Sequence, residues 1–284
     1  MTQQLASVPS APPPELRYKR PIRLGRVLRE LWQGRGLARA LAERELRARY
    51  KQTFLGFAWA IITPVALMLV FNVFFEKVAD VDTNGAPYLL FSYLGLLPWT
   101  FFSTSVSSGG VSLVTNMGLL NKVYCPREVF PISSILVAAV DTSIATAVLG
   151  VLFAATQYAP RAEAVWVPVL LAVQFGFTLG FVLVVSIVTV YLRDLRQSIP
   201  FVLQLGLFAT PIGFGLEEIP GSLQPIYSFV NPLVPVIDGY RRTILFGQPP
   251  EWGLLGLGAL SSLILLVGGY FFFKRLETGV ADVA

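Results

Sequence analysis

Val169–Leu192 reads VLLAVQFGFTLGFVLVVSIVTVYL, 24 residues without one charge. A strand of a membrane barrel alternates apolar and polar residues in pieces of about ten, and this stretch does not alternate. Lipid offers a backbone N–H or C=O no partner outside its own segment, so a continuous apolar run of this length favours a helix. About 20 helical residues cross a bilayer. Working outward, the same criterion predicts six spans, at 53–75, 88–114, 130–157, 164–191, 199–215 and 253–273. The fifth is short and holds Pro200 and Pro211, which predicts a broken or tilted helix.

Composition agrees with lipid as the solvent. Of 284 residues, 54% are hydrophobic and 14% charged, with a mean hydropathy of +0.64. A soluble domain carries about 25% charged residues. The single cysteine, Cys125, excludes an internal disulfide framework and a cysteine-rich metal site. There is no histidine, which removes the commonest general base and the commonest zinc ligand together. The phosphate-loop pattern G-x-x-x-x-G-K-[ST] is missing as well, since no Gly-Lys pair occurs.

Charge sets the expected orientation. Residues 1–51 hold 12 of the 22 Lys and Arg. With the N-terminus in the cytoplasm, 18 basic residues fall on inside segments and four on outside segments, a strong asymmetry under the positive-inside rule. Both termini are then cytoplasmic. The organisation expected is a disordered Pro-rich tail (1–20), cytoplasmic amphipathic or interfacial helices (21–52), a six-span domain (53–275) and a short cytoplasmic tail (276–284). No cleaved signal is expected, because the first apolar run begins only near Thr53. Leu24, Val27, Leu28 and Leu31 share one helical face among Arg23, Arg26, Arg29 and Glu30, the pattern of a basic helix lying on anionic lipid. Gly34 and Gly36 are expected to break it before a second helix leads into span one. The plainer reading is a positive-inside anchor.

Residues 216–252 are unusual. They contain Pro220, Pro225, Pro232, Pro235, Pro249 and Pro250 with apolar pieces too short to cross. Irregular backbone at membrane depth survives only inside protein or beside a wet cavity, so two short re-entrant helices between spans five and six are expected. Asp141 is the one acid well inside a span, where such a group costs about 2.5–3.5 kcal/mol. It either lines a pathway or is held by a hydroxyl such as Thr142 or Ser143 of another copy. Phe71, Phe91, Tyr93 and Trp99 belong to an aromatic-rich stretch of spans one and two. They read as an interfacial belt or as channel-lining faces suited to the C–H faces of sugars.

The loop NKVYCPREVFPISS (Asn121–Ser134) places Lys122, Pro126, Arg127 and Glu128 between two oily runs. With RARYKQTFLGFAWAIITP (Arg47–Pro64), YLRDLRQSIP (Tyr191–Pro200) and NPLVPVIDGYRRTILFG (Asn231–Gly247), it makes the chain resemble the permease subunit of polysaccharide-exporting ABC transporters, the type 2 export class. The resemblance covers nearly everything from about residue 30. It implies an all-α membrane protein that forms a homodimer in the bacterial inner membrane, with two cytoplasmic ABC ATPase subunits below. ATP and Mg would bind in those partners, this chain having no cofactor, no metal and no catalytic residue of its own. The implied substrate is a polyprenyl-diphosphate-linked polysaccharide such as O-antigen, and no nucleic acid is involved. Lys122, Pro126, Arg127, Glu128 and Phe130 would couple to the ATPase, with Arg193, Asp194 and Arg196 as a second contact. Arg47, Arg49 and Lys51 would hold the diphosphate, since guanidinium groups fork onto phosphate oxygens. The same topology suits an exporter of drugs or lipo-oligosaccharides. A membrane enzyme would need a water-facing cluster, for which only Asp238, Arg241 and Arg242 come near, and a passive channel would need no ATPase.

Overall fold

A computed structural model describes residues 24–51, 56, 58–76, 83–120 and 125–279. The Pro-rich tail, Lys122 and the last five residues lie outside them. So do the side chains of Leu24, Val27, Leu28 and Leu31. Among the described residues every regular element is helical. Five segments are long and apolar enough to cross a membrane: Ala58–Glu76, Tyr88–Gly109, Val129–Thr156, Ala162–Tyr191 and Trp252–Gly279.

The helices are α1 (Leu24–Lys51), α2 (Ala58–Phe71, continued by a wide π turn over Asn72–Glu76), α3 (Tyr88–Gly109), the short α4 (Ser112–Thr115) and α5 (Met117–Leu120), and α6 (Val129–Thr156). Then come α7 (Val167–Tyr191), α8 (Leu195–Ala209), α9 (Gln224–Val230), α10 (Leu233–Arg241) and α11 (Trp252–Leu276). Helix α3 sits at the centre, buried along most of its length. Its Phe101 and Phe102 meet Phe175, Phe177 and Phe181 of α7 at centroid distances of 4.8–5.3 Å, within the range that stabilises aromatic pairs. The helices pack closely where side chains vanish. A Cβ on Gly180 would stand 2.7 Å from the Leu266 backbone nitrogen, and one on Gly269 2.8 Å from the Gly180 carbonyl oxygen. Two glycines therefore let α7 and α11 cross in backbone contact, the small-residue packing that membrane helices favour.

One expectation needs correction and another is met only in part. First, α1 runs unbroken through Gly34 and Gly36. A helical glycine costs only about 1 kcal/mol against alanine, and Gly34 has a tertiary reason to be there. It is buried, and a Cβ on it would come 3.0 Å from Val129 Cγ2 of α6. Second, the fifth predicted span is a 15-residue helix, Leu195–Ala209, too short to be counted with the five. It stops where Thr210 turns extended and Pro211 supplies no N–H to continue the ladder. Non-helical chain follows to Gly215. The Pro-rich region then folds into the short helices α9 and α10, the latter ending in a π turn closed by Gly247 at φ 64°.

Candidate functional site

Three constellations carry polar chemistry in this apolar molecule. The first lies at the end where α6 begins and α7 and α11 finish. Glu128 sits just before the start of α6 and is 1% exposed. Its carboxylate pairs with the Lys274 ammonium of α11 and accepts a 3.1 Å hydrogen bond from the Tyr270 hydroxyl. Lys274 also bonds Glu277 at 3.1 and 3.2 Å. Behind this pair, Val129 and Phe130 form an apolar cluster with Ala38 and Leu41 of α1, Leu183, Ile187 and Val190 of α7, and Phe273 of α11. The expectation that Glu128 and Phe130 present themselves to a partner subunit is thus corrected: both are withdrawn into the chain, where they join α6 to three other helices. Pro126 and Arg127 remain half-exposed in the turn before them, their carbonyls accepting the Val129 and Phe130 N–H groups at 3.2 and 3.3 Å. Beside them Cys125 is half-buried, and that burial pushes its thiol pKa up. The tight turn between α7 and α8 leaves Arg193, Asp194 and Arg196 all exposed.

The second constellation surrounds Asp141, twelve residues beyond Val129 and so about 18 Å along α6. Its partners within this chain come from α1 rather than from a neighbouring hydroxyl. Thr142 and Ser143 donate to their own helix carbonyls, Ala138 and Ala139. Asp141 is instead held by α1: Arg49 Nη1 donates to Oδ2 at 2.8 Å, and the Tyr50 hydroxyl donates to Oδ1. Arg49 Nη2 reaches Glu45 at 3.2 Å. Burial and the neighbouring carboxylate push the Tyr50 phenol up to about 12, so it stays a donor at any working pH. The group borders a cleft of about 300 Å³ lined further by Trp59, Thr63, Thr100, Thr104 and Thr142. Of the three basic residues expected to take diphosphate, Arg49 is engaged by two carboxylates, whereas Arg47 is 80% exposed and Lys51 exposed on the same helix.

The third centres on Arg241 of α10, 2% exposed. Its guanidinium donates to four carbonyls: Phe91 at 3.2 Å, Pro211 and Phe214 at 2.9 Å, and Ile212 at 2.5 Å. It also lies 3.6 Å from the centre of the Phe91 ring. The chain break after α8 is therefore wrapped around one planar cation whose fixed fork suits several acceptors at once. Tyr88 adds a 2.8 Å bond to the Gly213 carbonyl, and Asn231 one of 2.9 Å to Thr210. Arg241 is thus a structural clasp and cannot serve a water-facing catalytic cluster.

The clasp also corrects the channel-lining expectation. Phe91 is sealed beneath Arg241. Tyr93 is fully buried with its hydroxyl on the Ala145 carbonyl at 2.8 Å. Phe71 and Trp99 are buried too, Phe71 against Phe75 and Trp99 against Phe102. These aromatics hold α3 in place inside the chain. Of the five residues expected to line a channel, Asp141 alone borders open space.

Residues 37–245, from within α1 to the turn after α10, match the family model described as ABC-2 type transporter. The chain belongs to that family. Relatives cover almost its full length. The O-antigen export system permease protein RfbA of Myxococcus xanthus is 33% identical over 254 residues, which is 89% of this chain and 97% of that protein. RfbA of Klebsiella pneumoniae is 25% identical over 86% of this chain and 93% of its own. The polysialic acid transport protein KpsM of Escherichia coli is 27% identical over 84% and 92%. Three polar features of this ABC-2 chain escaped the sequence reading: the Glu128–Lys274 pair, the Arg49–Asp141 pair and the Arg241 clasp. Each joins groups far apart in the chain. The one available signal was cost, since a charge within an apolar run requires a partner.

Proposed function

We propose that this chain is the membrane subunit of an ATP-driven exporter that moves a lipid-linked polysaccharide of the O-antigen kind across a bacterial inner membrane. The observation that carries the reading is the near full-length similarity to O-antigen export permeases. Two copies pair around a channel, and two separate ATPase subunits bind ATP and Mg beneath them. The chain performs no covalent chemistry. The exposed apolar rows Leu69, Val70 and Phe74 of α2 and Phe201, Leu205 and Phe208 of α8 suit lipid or a second copy.

Coupling follows from the packing at the start of α6. Pro126 and Arg127 in one turn, and Arg193, Asp194 and Arg196 in the other, meet the ATPase, joined by Lys122, five positions before Arg127 in the sequence. Glu128 and Phe130 pass the displacement inward to α1, α7 and α11. Lys51, and Arg47 in an exposed 3.8 Å pair with Glu43, are the basic groups of the three that face solvent for a diphosphate. Both termini lie in the cytoplasm.

Co-expression with a cognate ABC ATPase should yield a complex of the two that exports polymer from proteoliposomes with ATP. A phosphate-loop lysine variant of the ATPase is the control. Failure of any ATPase to co-purify, or export that survives Arg127→Ala combined with Arg193→Ala and Arg196→Ala, would count against the reading.

A further inference from the structure

We propose that the cleft between α1, α2, α3 and α6 is a binding site for an uncharged sugar unit. The inference rests on the export reading above and states where on this chain the polymer is held. Its foundation is the arrangement around Asp141. An acid and a base stand within an apolar bundle yet border a cleft; their side chains are 15% and 34% exposed. Arg49 answers to Asp141 and to Glu45, so the three charges sum to minus one. Arg49 is thus already neutralised and offers a phosphate or a carboxylate no spare counter-charge, which leaves an uncharged polar ligand favoured.

Hydrogen-bonding capacity remains for such a ligand. A guanidinium has five N–H donors, and a carboxylate has about four lone-pair sites. The bonds described above use two donors on Arg49 and two acceptor sites on Asp141. The rest form a donor set beside an acceptor set, which matches neighbouring hydroxyls on a sugar ring. Thr100 and Thr104, one helical turn apart on α3, and Thr142 opposite them on α6 add short hydroxyls along the walls. Trp59, 53% exposed, supplies a flat apolar face at the mouth, of the kind that packs against ring C–H groups. A volume of about 300 Å³ is at the lower end of ligand pockets, which run roughly 300–1,000 Å³, and suits one short stretch of a polymer.

The test uses the full chain in nanodiscs and follows tryptophan emission. The probes are neutral manno-, gluco- and galacto-hexaoses, with inorganic pyrophosphate as the anionic probe. At least one hexaose should shift emission saturably, and Trp59→Phe should abolish the shift. Asp141→Asn should weaken binding by roughly tenfold or more. Because that change also loosens α1 from α6, a second variant leaves the ion pair intact: Thr100→Val with Thr104→Val, expected to weaken binding roughly fivefold. Pyrophosphate should not compete with the hexaose. A flat response to all three hexaoses, a shift retained in Trp59→Phe, or competition by pyrophosphate overturns the proposal. Export separates this failure from that of the broader reading. If the complex exports polymer and both Trp59→Ala and the threonine pair leave its KM for polymer unchanged, the sugar site is wrong and the exporter stands; if no polymer moves, the exporter reading fails whether or not a hexaose binds.

Discussion

Lys274→Met would strip the buried Glu128 carboxylate of its counter-charge. Glu128 is 1% exposed, and the Lys274 side chain only 10%, so water cannot substitute for the lost ammonium. Removing one partner of a buried pair costs about 3–5 kcal/mol. Glu128 keeps the Tyr270 hydroxyl, while Glu277, 23% exposed, can turn towards solvent, which argues for the lower end. Glu128→Gln should cost less, about 1–2 kcal/mol, because Lys274 keeps Glu277. The double variant should recover a little under half of the summed loss, giving a coupling energy of about 2 kcal/mol. Detergent-driven unfolding in mixed micelles, followed by circular dichroism for all four proteins of the cycle, measures it. A coupling below about 0.5 kcal/mol would refute the view that this pair fastens α6 to α11. The same variants in the complex should hydrolyse ATP while exporting less.

Gly269→Val should force α7 and α11 apart, since its new Cβ would meet the Gly180 carbonyl oxygen at 2.8 Å; the expected cost is about 3 kcal/mol, seen as a lower unfolding midpoint, whereas Gly268→Val, with open space around it, should be tolerated. Arg241→Lys cannot reach four carbonyls with a compact ammonium, so backbone amides in 212–215 should exchange hydrogen roughly a hundredfold faster. Unchanged exchange there would dismiss the clasp. Only a thiolate alkylates, and burial holds the Cys125 pKa above its usual value. Its thiolate fraction near neutral pH is therefore below that of an ordinary cysteine, and maleimide labelling should quicken roughly tenfold from pH 7 to 8. Docking of the ATPase should slow labelling at every pH; equal rates with and without it would remove the turn from the docking surface.

What could be read in the chain before its fold was known followed from solvent. Runs such as Val169–Leu192 and Trp252–Phe273 admit one backbone solution in lipid, and their helices begin and end close to where apolarity does. The Thr210–Pro211 break was foreshadowed by proline alone. Gly34 misled, because local propensity counts against glycine while the decisive contact is with Val129, 95 positions away. The aromatics of α3 misled for a related reason. Composition places Phe91 and Tyr93 in a membrane, but only the packed neighbours decide whether a ring faces a pore or a core. The Arg49–Asp141 contact spans 92 positions, and no local pattern encodes such a pairing.

The guanidinium of Arg241 is shared by α3 and by three carbonyls of the break. Giving up one carbonyl recovers little, because the cation stays dry and the remaining acceptors still hold the segment. Intermediate openings are therefore the least populated, and the region behaves as a toggle rather than a dial. Any force arriving along α8 either leaves that segment seated or frees it whole.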